Sequence, residues 1–239
     1  MQLNPHNIKG ILLDLDDTLY SYPPCNEAGT RAACAFLADH FEQSETTIQS
    51  AYKTARENVK EKNFKEAGYQ TASSHSRLLY FQELIESLAK KSMPALVLQV
   101  HTIFWDAYFS KMHLFPGAEK FLKNMRKQGR QIAIVTNMVH DIQLKKLQRL
   151  EIASMVDYVV SSEQSGRDKP HPASLLLALK KMRCTPRETV FIGEDEKNDG
   201  GAAHAAGILP ILIHVQPKNP KIIFVKNFKA LSGLLTVPR

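Results

Sequence analysis

Cysteine is scarce in this 239-residue chain, which holds only Cys25, Cys34 and Cys184. The count is odd, and no pair has the close spacing of a metal knuckle. That excludes a disulfide framework and a cysteine metal site, and predicts free thiols in a reducing compartment. Long apolar runs are missing too; none approaches the roughly 20 residues that span a membrane. The first ten residues contain Asn4, Pro5 and His6 but no apolar stretch of signal-peptide length. The expectation is a cytoplasmic protein without a membrane partner. Internal repeats and low-complexity tracts are absent. The formal net charge of +7 is modest, and the basic residues are scattered, apart from Lys218, Lys221, Lys226 and Lys229 near the C-terminus. This describes a solvated surface rather than a nucleic-acid patch, and no nucleic acid is expected as partner. A mild positive field also helps to draw in an anionic substrate.

What is present is one acidic stretch with an ordered chain around it. Ile11-Leu12-Leu13 is a short apolar run that stops at Asp14-Leu15-Asp16-Asp17-Thr18. This predicts a central strand whose C-terminal end opens into a cleft, where open parallel sheets place their ligands. Ser21-Tyr22-Pro23-Pro24 predicts a stiff, extended connector. Helical periodicity then holds for about ninety residues: Glu27 to Phe41, a helix capped by Ser44, another from Ser74 to Ala89, and one starting at Pro94, with a loop from Asn63 to Thr71. Beyond Leu114 the pattern alternates. Strands at Gln131–Thr136, Tyr158–Val160, Val190–Ile192 and Leu209–His214 are separated by helices, and a short strand at Ile222–Val225 and a short helix come after them.

Alternation of this kind predicts an α/β fold, a Rossmann-like doubly wound parallel sheet. The helical block is too long for a βα connection and reads as an inserted all-helical subdomain. The expected domains are a core of residues 1–22 and 114–239 and a helical cap of residues 23–113.

Three strands end in polar groups: Asp14 and Asp16, then Thr136, then Glu194 with Asp199 just beyond. Lys169 lies in a loop of the same half. Parallel neighbours would bring these groups to one sheet edge. Two acids separated by one residue can divide duties, one as nucleophile or metal ligand and the other moving protons. A carboxylate attacking phosphorus gives an aspartyl-phosphate. Phosphoryl transfer needs charge neutralisation above all, so a divalent cation and a lysine are the expected helpers. An all-oxygen ligand set favours Mg²⁺.

In this order the residues resemble the haloacid dehalogenase superfamily of aspartate-nucleophile hydrolases, over essentially the whole chain. The motifs are Asp14-Leu15-Asp16-Asp17-Thr18 after a strand, Thr136-Asn137 ending the next, Lys169-Pro170, and Gly193-Glu194 with Asp199. The resemblance implies a role for each. Asp14 is nucleophile and metal ligand. Asp16 protonates the leaving group, then activates water, and lends its backbone carbonyl to Mg²⁺. Thr136 and Asn137 hold the phosphoryl group, and Lys169 pairs with Asp14 and the phosphate. Glu194 and Asp199 complete the metal site, and Thr18 shapes the turn that holds Asp16. The family usually has Asp where Glu194 stands. The longer arm shifts the ion or demands a water bridge, with Asp195 as an alternative ligand.

Within the helical block, Tyr80 and Trp105 lie on apolar stripes and are expected in the core. His75 and Arg77, near a helix start, are candidates to face the cleft and meet an anionic or hydroxylated leaving group. Tyr20 either lines the pocket or packs the hinge. The expected activity is Mg²⁺-dependent hydrolysis of a small phosphomonoester, in a monomer or homodimer. The wording around Asp14 also resembles nucleotidase-type members, and sugar phosphates stay open. The alternatives are a phosphomutase of the same fold and a catalytically weak binding or regulatory protein. Asp16, a proton donor that dehalogenases do not need, speaks against that activity.

Overall fold

The computed structural model describes residues 3–63 and 70–237. The chain divides into two compact units: Met1–Ser21 with His113–Arg239, and Tyr22–Met112.

The first unit opens with strand β1 (Gly10–Leu13), buried at every position. The helical unit comes next. Its first helix, α1 (Tyr22–Phe41), contains both prolines in its opening turn. The extended connector expected at Ser21–Pro24 is therefore overturned. N–H groups of a helix's first turn have no intrahelical acceptor, so a residue without N–H loses nothing there, and the fixed φ of proline suits the helix. Helix α2 (Glu45–Asn63) is capped as expected: the Thr47 N–H donates to Ser44 Oγ at 3.2 Å. Most of the expected Asn63–Thr71 loop, residues 64–69, lies outside the described residues. Helix α3 (Arg77–Ala89) starts three residues later than its periodicity implies. Ser76 is the reason. Its Oγ accepts from the Leu79 N–H at 3.4 Å and caps the helix, leaving Ala72–His75 as a separate 3₁₀ turn. Helix α4 (Pro94–Ser110) completes the unit.

The core of this unit is aromatic. Tyr80, Phe81, Phe104, Trp105 and Tyr108 are all buried, Tyr80 and Trp105 among them as their stripes predict. Phe104 stands edge-on to Phe81 and to Trp105, at 5.7 and 5.0 Å between centroids. Gly29 lets α1 and α4 approach closely. A Cβ there would lie 2.8 Å from the Phe104 carbonyl and 2.9 Å from its ring.

The first unit resumes with α5 (Ala118–Lys127), β2 (Gln131–Thr136), α6 (His140–Arg149), β3 (Tyr158–Ser161), α7 (Ser162–Ser165) and α8 (Ala173–Met182). It continues with β4 (Thr189–Gly193), a π-helical turn (Glu196–Gly200), α9 (Gly201–Ala205), β5 (Leu209–Ile213), β6 (Ile223–Val225) and α10 (Phe228–Leu235). The strands form a six-stranded sheet in the order β3-β2-β1-β4-β5-β6, every described pairing parallel. This is the α/β doubly wound fold expected. Strands covered on both faces have no polar face to alternate, which is why Ile11–Leu13, Ile132–Val135 and Val190–Ile192 read as continuous apolar runs. The order reverses between β1 and β4, so the carboxyl ends of these two strands border the crevice of the topological switch point. Leu13 pairs with Ile134 of β2 on one side and Ile192 of β4 on the other. The next residues of all three strands therefore reach the same edge.

An alanine in place of a mid-helix glycine ordinarily stabilises by about 0.5–1 kcal/mol. At position 29 the contact with Phe104 reverses the sign. Gly29→Ala is expected to destabilise by about 1–3 kcal/mol, as overpacked cores do, and a urea midpoint at or above that of the native chain would show that the two helices can move apart.

Candidate active site

Asp14 directly succeeds β1, and its N–H still donates to the Ile192 carbonyl at 2.9 Å, so the sheet ladder holds its backbone. Its side chain is buried. Lys169 Nζ donates to Asp14 Oδ1 at 2.5 Å and to Asp199 Oδ1 at 2.6 Å, and caps the end of β2 through the Val135 carbonyl at 3.2 Å. One buried ammonium thus joins two buried carboxylates. Burial works against that charge, but Asp14 and Asp199 outweigh it and hold the lysine above its ordinary range.

Asp199 sits in the π-helical turn after β4. Its second oxygen accepts from the N–H groups of Glu194 and Asp195, at 3.0 and 3.1 Å. The turn folds so tightly over Gly193 that a Cβ there would collide with the Asp199 carboxylate, which requires glycine. Glu194 accepts from Thr18 Oγ1 at 2.7 Å, and the same hydroxyl lies 3.3 Å from Asp14 Oδ2. Thr18 therefore bridges two carboxylates; among the contacts described it does not touch the Asp16 side chain.

Asp14, Glu194 and Asp199 each offer a carboxylate oxygen within 4.8 Å of the others. Burial, with the neighbouring carboxylates, raises Asp14 to about 7 and Glu194 to about 10. Hard oxygen donors this close, whose charges a single lysine does not balance, fit a divalent cation of the Mg²⁺ type. Asp195 is committed elsewhere. It caps the turn after it, accepting from the Lys197 and Asn198 N–H groups at 2.8 and 2.9 Å and from the Asn198 amide at 2.8 Å.

Asp16 has a different environment. Lys146 Nζ, fully buried on α6, donates to both carboxylate oxygens at 2.6 and 2.9 Å. Tyr20 donates its hydroxyl to Oδ1, and Gln143 its amide to Oδ2 at 3.3 Å. Burial opposes the charge, but Lys146 and these hydrogen bonds overcome it and hold the carboxyl below its ordinary range. Tyr20 itself is wholly buried.

The Thr136 hydroxyl accepts from Gln143 at 2.9 Å. Asn137 grips the motif lysine by its backbone, its Oδ1 accepting from the Lys169 N–H at 2.9 Å. The Lys169–Pro170 peptide is cis. The structure therefore gathers Asp14, Lys169, Glu194 and Asp199 into one cluster, while Asp16 joins Thr136 through Gln143. Gln143 and Lys146 escaped sequence reasoning. On an amphipathic helix both look like surface residues; only their place one and two turns after the strand that ends at Thr136 hints at the site.

Residues 8–207 match the model of a family described as haloacid dehalogenase-like hydrolase. Among curated proteins, the chain is 36% identical over 203 residues to a ribulose-1,5-bisphosphate 5-phosphatase of Halopiger xanaduensis, covering 84% of this chain and 83% of that one. It is 27% identical over 218 residues to a glyceraldehyde 3-phosphate phosphatase of Methanopyrus kandleri, covering 89% of each. Among solved structures, an HAD phosphatase from Thermococcus onnurineus superposes with a TM-score of 0.74 at 17% identity, over 95% of this chain and 98% of that one. A 2-haloacid dehalogenase from Pseudomonas syringae gives 0.73 at 20% identity with the same coverage. With the family match spanning most of its length and the fold and motif geometry in agreement, this chain belongs to the haloacid dehalogenase-like hydrolases.

Proposed function

We propose that the protein is a Mg²⁺-dependent phosphatase that hydrolyses a small sugar phosphate through an aspartyl-phosphate on Asp14. It is a phosphoric monoester hydrolase. The finer reading is carried by one observation: a buried carboxylate at the end of β1, clamped by Lys169 and flanked by two further carboxylates. The names of the relatives support a phosphorylated sugar or sugar-derived acid over a nucleotide.

In this reading Asp14 Oδ attacks phosphorus, the bond to the leaving oxygen breaks, and a water later attacks the same phosphorus to release phosphate and restore the carboxylate. Lys169 holds Asp14 oriented and spreads positive charge toward the phosphoryl oxygens. Asp14, Glu194 and Asp199, with the Asp16 carbonyl, would hold Mg²⁺, which when bound neutralises charge on the phosphoryl group. Thr136 offers its hydroxyl to that group, while Asn137 acts through Lys169. Asp16, charged beside Lys146, is set to take the proton of the incoming water; to protonate a leaving group it must first part from Lys146. The helices of Tyr22–Met112 take the part of a cap that selects the leaving group. A mutase would need the same acids, and analysis of the products separates the two, since free phosphate marks hydrolysis and an isomeric sugar phosphate marks transfer.

Wild-type protein with Mg²⁺ is expected to hydrolyse p-nitrophenyl phosphate, and Asp14→Asn to lose that activity by about a thousandfold or more; a well-folded native chain inert across a broad phosphomonoester panel would instead favour a binding protein. Removing the Lys146 charge frees the Asp16 carboxyl to rise. Lys146→Gln is therefore expected to move the acid limb of the kcat profile up by about 1–3 pH units, the usual effect of a close opposite charge, and an unmoved limb would take Asp16 out of the water-activating role. For stability the sign comes from the raised carboxyls. Asp14 and Glu194 bind protons on folding, so metal-free protein loses stability as pH rises from about 4 through about 7 and toward about 10. A bound cation takes over from those protons, so the Tm gain on adding Mg²⁺ should be larger at pH 8 than at pH 5.5. A gain independent of pH would remove these carboxylates from the metal site.

A further inference from the structure

The helical unit buries a charge that nothing in the described structure balances. Arg77 is 6% exposed. Its guanidinium donates to the His75 carbonyl at 2.9 Å, to the Tyr22 hydroxyl at 2.5 Å and to Asn26 Oδ1 at 2.9 Å. It lies 5.4 and 5.6 Å from the ring centroids of Tyr80 and Phe104, and its Nε has no partner. Every one of these neighbours is neutral, and among the described residues no carboxylate pairs with it. Buried charges are ordinarily paired, because desolvation costs several kcal/mol for an ion left alone.

Two of the groups that Arg77 holds, Tyr22 and Asn26, also line a cavity of about 640 Å³ within this same unit. Its wall carries three further cations, Arg31, Lys53 and Arg56, against a single acid, Glu27. None of the three makes an ion pair among the described residues. Thr30, also on the wall, has a buried hydroxyl with no hydrogen-bond partner. An excess of cations at the wall, a buried cation directly behind it and an orphaned hydroxyl together describe a receptor for a hydroxylated anion. The volume exceeds what an inorganic ion needs and falls in the range of small-molecule sites.

We propose that this cavity binds the phosphate group of a small polyhydroxylated metabolite, with Arg31, Lys53 and Arg56 as its charged contacts and Arg77 as the buried charge that the anion balances. The proposal deepens the sugar-phosphate reading above and rests on it for the identity of the metabolite. The ligand is a separate phosphorylated effector, bound within the helical unit.

The decisive measurement is calorimetric titration of the full chain with ribulose 1,5-bisphosphate in EDTA. Without a cation the carboxylates around Asp14 repel a phosphate, so binding then reports on the cavity. Lys53 and Arg56 are exposed, so Lys53→Gln/Arg56→Gln should leave the fold and its Tm intact while weakening binding at least tenfold. Equal affinity for native and variant chains, or no binding by the native chain, overturns the proposal. Kinetics with Mg²⁺ then reads the effect of occupancy. Modulation of p-nitrophenyl phosphate turnover by 3-phosphoglycerate is expected in the native chain and lost in the variant; modulation that survives in the variant overturns the assignment to this cavity. Absence of Mg²⁺-dependent hydrolysis of any phosphomonoester would sink the phosphatase reading alone, since the titration in EDTA judges the cavity by itself.

Discussion

The ammonium of Lys169, buried between Asp14 and Asp199, is the interaction on which the site depends. Three carboxylates, two of them buried and one half-buried, converge where β1 and β4 end, with little water to screen them. Without a cation among them they would repel one another or stay protonated. Lys169 ties them into a frame. It reaches from the loop after α7 to the residue next to β1 and to the turn beyond β4, and Asn137, just past β2, fixes its backbone. Asp199 extends the frame by accepting two backbone N–H groups, so the turn that presents Glu194 is shaped by the same carboxylate that steadies the lysine.

Burial, and then the repulsion of three acids that one lysine does not balance, raises Asp14 and Glu194. Asp16, two residues from Asp14, is treated in the opposite manner. Its own lysine, Lys146, satisfies it fully, and its carboxyl is lowered. Two acids one residue apart beyond the end of β1 thus acquire different protonation behaviour beside two different lysines, which is the separation that divided acid–base duties require. Tyr20 and Gln143 complete the second environment with neutral donors.

The sheet was legible in the sequence because strands covered on both faces are written as unbroken apolar runs, and each of the central runs ended in a chemically informative residue. Asp14, Thr136 and Glu194 were visible for that reason, and Lys169, in a loop, only through its place in the order of motifs. What escaped depends on which way a helix face turns. Lys146 and Gln143 lie on a helix whose polar residues look alike in sequence, and only the packed structure distinguishes a buried lysine from its solvated neighbour Lys145. Pro23 and Pro24 misled because a proline signals a break or a first turn with equal force, and only the packing of the next turns decides between them. Ser76 shows the same ambiguity among several serines, any of which resembles a cap. Arg77 was legible as a polar residue near a helix start, but its burial without a carboxylate partner was not, since that depends on residues 22, 26 and 104 meeting it.

The splitting of the first unit by a helical insert also governs how the protein comes into being. β1 is an interior strand, buried on both faces and flanked by β2 and β4. Yet about 120 residues separate it from β2. At ribosomal speeds of about 5–20 residues per second, Ile11–Leu13 waits roughly 6–24 s for its first sheet neighbour to be synthesised. During that interval the intervening helices can fold as a unit of local contacts, while this apolar strand stays without a sheet partner. The strand that leads into Asp14 is thus made well before either of its sheet neighbours.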